Sequence, residues 1–393
     1  MTIHNTNHAA PATRKKTQTG CFYFPNYHID PRNENIHGAN WSEWELVKYA
    51  TPRFPYHNQP RIPLWGYEDE ALPAVMAKKI AAAADYGIDF FIFDWYYYDD
   101  GPFLERALEK GFMQAENNNK LKFCCMWANH DWQDIHPAGL HSPKKLLYPG
   151  KVSPATFHKI CRIAIERYFS HPAYYQIDGC PFFSFYSLEQ LISSCGSVTM
   201  TRKSLDVFRK AAVNAGFSGL HLNAIVYGNP ILPGEKQPAD IPLLLKQLGF
   251  DSATSYIWMH HVTSDLPTIS YSEVAETYLK TWDKYRRELP VPYFPNLTVG
   301  WDSSPRTLQS GNWNASAGYP YCSIVTGNTP DNFQKALQKI KAELAKYRQA
   351  QIITINSWNE WTEGSYLEPD RQNGFAYLEA LKAEMTNNHK LRR

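Results

Sequence analysis

The sequence has no run approaching the roughly 18 uninterrupted apolar residues that a membrane-spanning helix requires. It also lacks a charge bias: 40 Lys+Arg face 38 Asp+Glu, a formal +2 over 393 residues. A nucleic-acid binder needs a basic stripe to neutralise phosphates, and that composition argues against one. Residues 1–19, MTIHNTNHAAPATRKKTQT, have no apolar secretory core and read as a disordered polar tail. The seven cysteines (Cys21, Cys124, Cys125, Cys161, Cys180, Cys195, Cys322) are odd in number and form no CxxC pair. Reduced, buried thiols in a cytoplasmic protein are therefore expected. HExxH, GxSxG and GxxxxGKS are all missing, which removes support for a zinc peptidase, a serine hydrolase and an NTPase. Adjacent His260 and His261 cannot both aim inward from an extended chain, so no metal and no cofactor is expected. The basic C-terminal HKLRR offers at most weak peripheral contact with an anionic membrane, and a solvated terminus is the simpler reading.

What is present is an aromatic excess: 12 Trp, 25 Tyr and 20 Phe, 15% of the chain. With 44% apolar and 20% charged residues the composition is that of a soluble folded protein. The surplus rings suggest flat surfaces for stacking a ligand, although core packing is the default reading of any one of them.

Eight β-rich runs recur along the chain: CFYFPNYH from Cys21, IDFFIFDWYYY from Ile88, LKFCCMWANH from Leu121, PFFSFYS from Pro181, LHLNAIVY from Leu220, SATSYIW from Ser252, YFPNLTVGW from Tyr293 and QIITINSW from Gln351. Segments of helical periodicity lie between them, among them 72–87, 157–169, 272–289 and 332–348. Ser272 before Glu273 reads as a helix start, and Gly87 as a helix end. Alternating strands and helices predict an α/β fold, a single (β/α)8 TIM-type barrel with long βα loops over 20–388. A doubly wound open sheet is weaker, because Pro25 and Tyr27 stand where a GxGxxG turn would follow the first strand. The connections after the first, third and seventh strands are long and the returns into strands are short. One end of the barrel is thus elaborated, and barrel active sites lie at that end.

The last run, QIITINSWNEWTEGSYLEPD, carries the most chemistry. Strand parity puts Thr354, Asn356, Trp358 and Glu360 on one face, predicted to point into the barrel. Glu363 follows three residues on, and Gly364 permits a sharp turn, so both carboxylates can enter one pocket. Two glutamates among tryptophans at a barrel mouth fit glycoside chemistry, which needs a proton donor and a second carboxylate facing the sugar. Apolar neighbours Trp358 and Trp361 would keep one carboxyl protonated. The plain alternative is a solvated pair on a turn; Glu368 reads as structural. Further candidates for sugar contact are Trp127, Asn129, His130 and Asp131 after the third strand, and Tyr23, Tyr27, His28, Trp44 and His57 from the first strand and its loop. Tyr227, Tyr256, Trp258 and Trp301 end later strands, and Asn359 accompanies the glutamates. Asp94 is a charge inside an apolar strand, which either pairs within the barrel or binds substrate.

YFPNYH, NWSEWELVKYATPRF with HNQPR, MWANHDW, YQIDGCPFFSFY and WNEWTEGSYLEPD occur in an order that resembles the WbsX-type glycosyltransferase family, also described as glycoside hydrolase family 99-like, over about 20–385. The resemblance implies a (β/α)8 barrel acting on glycans, often encoded near bacterial surface-polysaccharide genes. In family 99 proper, endo-acting enzymes cleave α-mannosides with retention. Carried over, Glu360 would deprotonate the sugar 2-hydroxyl, which displaces the aglycone to form a 1,2-anhydro intermediate, and Glu363 would serve as acid and then base. His130 and Asp131 depart from the family's usual glutamate after Trp-Ala-Asn, so mannoside specificity is not transferred.

The resulting expectation is a retaining glycoside hydrolase-like enzyme acting on an oligo- or polysaccharide. Paired carboxylates at a barrel mouth serve hydrolysis, whereas a nucleotide-sugar transferase needs a diphosphate site that the sequence does not display. The alternative is a WbsX-type transferase in surface-polysaccharide (O-antigen or capsule) synthesis, favoured by the family label and by the expected cytoplasmic location. A glycan-binding barrel without catalysis is the third reading.

Overall fold

The computed structural model describes residues 17–236, 238, 240–347 and 352–386. The polar tail up to residue 16, Arg348, Gln351, the HKLRR terminus and the barrel limit at 388 lie outside the described residues.

Eight strands form one parallel ring: β1 (Gln18–Tyr23), β2 (Phe90–Tyr98), β3 (Lys122–Trp127), β4 (Cys180–Phe185), β5 (His221–Ile225), β6 (Ser252–Thr254), β7 (Tyr293–Phe294 and Asn296–Thr298) and β8 (Ile352–Asn356). Each expected run overlaps one of them, the first and fourth strands beginning before their runs, at Gln18 and Cys180. Pro295 splits β7, because proline has no N–H to give to a ladder. The first half of β7 pairs with β6 and the second with β8, which in turn pairs with β1, so the sheet closes on itself. This is the (β/α)8 barrel, and an open doubly wound sheet is ruled out.

Strand β2 is buried along its whole length because it has two packed faces. Phe91 and Phe93 face outward onto Phe112 of the short helix Ala107–Phe112. Inside the ring, Thr254 and Thr354 meet at 2.9 Å, and Asn296 donates to Thr354 at 3.2 Å. The expected inward position of Thr354 is thereby met.

The helices cover the ring's outside, and their ends follow short-range chemistry. Pro73–Asp85 closes near Gly87, whose φ of +98° suits glycine. Pro154–Ile163 continues as a wider turn to Phe169. Helix Tyr271–Glu288 is capped by Ser270, whose side chain accepts from the Glu273 N–H, so the start lies two residues before Ser272. The long segments 24–72 and 299–329, after β1 and β7, gather at the mouth beside the end of β8, as the isolated bridge between Pro63 and Asp370 and the bonds described below show.

Candidate active site

Regular strand geometry ends at Asn356. Asn359–Glu360 then forms a small antiparallel ribbon with Ser365–Tyr366, joined through a single 3-10 turn, Trp361–Glu363. Gly364 closes that turn at φ +63°; a Cβ there would stand 2.8 Å from the Asp302 Cβ and 2.9 Å from an Arg61 nitrogen. This local fold brings the two carboxylates together. It also breaks the alternation that parity assumed: Trp358 packs against outward-facing Phe91, on the helix side of the sheet instead of inside the barrel.

Both carboxylates meet Arg306, which comes from the long segment after β7. Its Nη2 donates to Glu360 Oε1 at 2.8 Å and its Nη1 to Glu363 Oε1 at 2.6 Å. The remaining guanidinium edge, Nε, donates to Glu43 Oε1 at 2.8 Å. Tyr319 donates its hydroxyl to Glu363 Oε1 at 2.7 Å. All four ionic residues are 5% exposed or less.

One cation thus faces three buried carboxylates, and their proton affinities diverge. Burial alone would raise Glu43, but Arg306 and the Thr362 hydroxyl outweigh it and hold its carboxyl below the ordinary range. Glu360 is pushed well above that range by burial and by the facing Glu363 charge, against Arg306. Glu363 is raised by burial, opposed by Arg306 and the Tyr319 hydroxyl. Glu43 therefore takes most of the Arg306 charge, and Glu360 and Glu363 each hold a proton more readily than an ordinary carboxyl.

The pair opens onto a cleft whose walls include Phe24, Asp94, Tyr96, His130, Asp131, Trp132, Tyr186, Tyr256, Trp301 and Tyr319. Asp94 points inward from β2, and Tyr256 donates to its Oδ2 at 2.8 Å. Burial and the Glu363 charge raise Asp94 well above the usual carboxylate range, against the Tyr256 hydrogen bond. Burial lowers His130 to about 4, and His136 and His260 to about 3, so these imidazoles are neutral. Several wall atoms are buried without a protein hydrogen bond: Glu360 Oε2, Asp94 Oδ1, Trp301 Nε1 and His260 Nδ1.

Over residues 19–381 the chain matches the family described as "Glycosyltransferase WbsX". The chain belongs to that family. Two proteins named "Uncharacterized protein WxcX", from two strains of Xanthomonas campestris pv. campestris, are 26% identical over 96% of the chain; the alignment takes in 51% of their length. The chain therefore spans about half the length of the curated relatives it matches. Among solved structures, the GH99 endo-alpha-mannosidase from Bacteroides thetaiotaomicron is similar at a TM-score of 0.53 and 15% identity, covering 94% of this chain and 96% of that one. A glycoside hydrolase-like protein is similar at 0.58 and 16%, covering 95% and 94%. At such identities the likeness concerns the barrel.

In this WbsX-family chain the candidate contacts divide into two groups. Asp94, His130, Asp131, Tyr256, Trp301, Glu360 and Glu363 line the cleft. The others lie behind it. Tyr23 packs outward on Phe91 and Phe93, and His28 is buried without a side-chain partner. Trp127 lies against Phe157 and Phe185, and Trp258 against Tyr271 and Tyr278. Tyr27 packs at a tilt on Trp44, 4.2 Å between ring centroids, and its hydroxyl accepts from the Thr362 N–H. Trp361 stacks on Tyr366 at 3.7 Å. His57 pairs with Asp302 at 2.9 Å, Asn129 clamps both backbone groups of Ser187, and Asn359 clamps those of Phe24. Glu368 is structural as expected: with Glu70 it holds the buried Lys79, at 2.9 and 2.6 Å.

Arg306, Glu43 and Tyr319 were not singled out from the sequence. Glu43 sits inside the NWSEWELV motif, which is the only local signal pointing to it. Tyr96 follows Asp94 at strand period two, and that parity would have found it. Among the described residues no group of three or more His, Cys, Asp or Glu side chains is arranged to hold a metal, and no helix is long and apolar enough to cross a membrane.

Proposed function

We propose that the chain is a carbohydrate-active enzyme that cleaves a glycosidic bond with retention, using Glu360 and Glu363. The observation that carries this reading is the sharing of Arg306 by two buried carboxylates that line an aromatic-walled cleft, one of them with an oxygen that has no protein hydrogen bond.

Glu363 has one oxygen saturated by Arg306 and Tyr319, which fixes the carboxyl and leaves the other oxygen to carry a proton. In the first step that proton goes to the leaving glycosidic oxygen as the C1–O bond breaks. Glu360, through its free Oε2, takes the proton of the sugar 2-hydroxyl as O2 bonds to C1. The burial that raises its proton affinity makes it a stronger base toward a hydroxyl, once ionised. In the second step water attacks C1, gives its proton to Glu363, and Glu360 returns its own to O2. Two inversions at C1 yield net retention.

The family's name favours a second reading, transfer of a sugar in surface-polysaccharide synthesis. The same intermediate opened by a sugar hydroxyl would achieve it. Donation from a nucleotide sugar is less well supported, since Arg306 is already held by three carboxylates and could not also neutralise a diphosphate. The test is incubation with candidate oligosaccharides, with and without nucleotide sugars, followed by NMR of the first-formed anomer. Release without donor and with retention supports hydrolysis; elongation only with donor supports transfer and overturns the primary reading.

A further inference from the structure

The cleft contains two carboxylates that the catalytic step does not use: Asp131, which accepts from the Gly150 N–H at 2.8 Å, and Asp94. Asp94 is 3% exposed, faces inward, and has Tyr256 on one oxygen; its Oδ1 is buried with no protein partner. Unlike Glu360 and Glu363 it has no cationic neighbour: among the described residues Arg306 is the cation on these walls, and its guanidinium is taken by Glu43, Glu360 and Glu363. A buried acceptor left unpaired is costly, and in a ligand cleft a donor from the ligand removes that cost. Tyr96 and Tyr256 line the same cleft and bring aromatic rings beside Asp94.

We propose that Asp94 reads the substrate, taking a hydroxyl of the sugar seated against Tyr96 and Tyr256, and that the carboxylates around it confine this position to sugars without an anionic substituent. The inference rests on the glycan-cleaving reading and names the substrate class: an uncharged sugar with a free hydroxyl opposite β2. A uronate, a sialic acid or a phosphorylated sugar would add its negative charge among the carboxyl groups of Asp94, Asp131, Glu360 and Glu363, where the one cation is already engaged. A sugar hydroxyl meets the Asp94 carboxyl in either protonation state, because that group can accept or donate.

The test uses the full chain carrying Glu363→Gln, to prevent turnover, on an array of neutral, amino and acidic oligosaccharides, with calorimetry on the best-retained glycan. Retention of neutral glycans is expected, with acidic ones absent. Asp94→Ala should weaken binding about tenfold or more. Asp94→Asn should stay within about threefold, since its amide still pairs with the Tyr256 hydroxyl and a sugar hydroxyl. Melting curves identify any variant that does not fold, and Tyr256→Phe then gives a second measurement by loosening Asp94. Retention of acidic glycans, no retained glycan at all, or Asp94→Ala binding as tightly as its parent overturns the proposal. So does Asp94→Asn failing as badly as Ala while folded, which would indicate a ligand cation. Failure of the hydrolase reading would instead appear as turnover surviving Glu363→Gln, and the Asp94 binding data would stand apart from it.

Discussion

Arg306 Nη2 lies 2.8 Å from Glu360 Oε1, a contact between the long segment after β7 and the turn after β8. The same guanidinium holds Glu363 and Glu43, so one side chain sets both the positions and the proton affinities of the candidate acid and base.

Replacing Arg306 by Met should therefore act on stability and activity together. It leaves Glu43 buried without its cation, and breaking a buried pair in this way costs about 3–5 kcal/mol. Urea unfolding at neutral pH measures that loss. Arg306→Lys should recover only part of it, because an ammonium cannot address three carboxylates with a planar fork. A Met variant as stable as wild type contradicts the clamp.

The buried Lys79 makes a parallel case behind the site. It bridges Glu70 and Glu368, and these in turn receive hydrogen bonds from Asn359 and Trp361, the residues on either side of Glu360. Lys79→Met should cost about 3–5 kcal/mol and lower turnover as the support of Glu360 loosens. Unchanged turnover in a folded Lys79→Met protein would separate the network from the site.

The pH dependence of stability should carry a signature of Glu235. Its Oε2 accepts the Ile231 and Leu232 N–H groups, and burial raises its carboxyl to about 7. The folded state keeps a proton that the unfolded chain releases near 4.3, so this group's contribution is present at low pH and is lost as pH rises from about 4.3 through 7. Glu235→Gln removes that dependence. Relative to wild type, the variant should gain stability between pH 5 and pH 8 in urea unfolding. A difference that stays constant across that window contradicts the assignment.

The turn after β8 should tolerate no side chain at Gly364. Its φ of +63° and the close approach of Asp302 and Arg61 both oppose a Cβ. Gly364→Ala should destabilise the fold by about 1–3 kcal/mol and reduce turnover, because Glu363 is the adjacent residue. Thermal melting together with a rate measurement checks both.

The ring was legible because each strand is a compact apolar run bounded by polar or glycine-containing turns, a pattern carried by local sequence. Glu360, Glu363 and Asp94 were legible for a related reason: a carboxylate at or near the end of a barrel strand must either pair or face a cleft. The tryptophans were not. A ring at a strand end can pack outward on a helix or inward at the mouth, and Trp127, Trp258 and Trp358 took the outward side where Trp301 took the inward one. Trp358 shows the cause, since parity fails where the regular strand stops at Asn356. Arg306 and Glu43 were hidden because their contact spans 263 residues and exists only once the ring has closed.

The most direct test of the catalytic assignment is turnover by Glu363→Gln of an oligosaccharide that the wild type cleaves, with binding measured alongside. Loss of turnover by about 100-fold or more, with affinity within a few-fold of wild type, is the predicted result. Full turnover in that variant would contradict the role of Glu363 and with it the proposed chemistry.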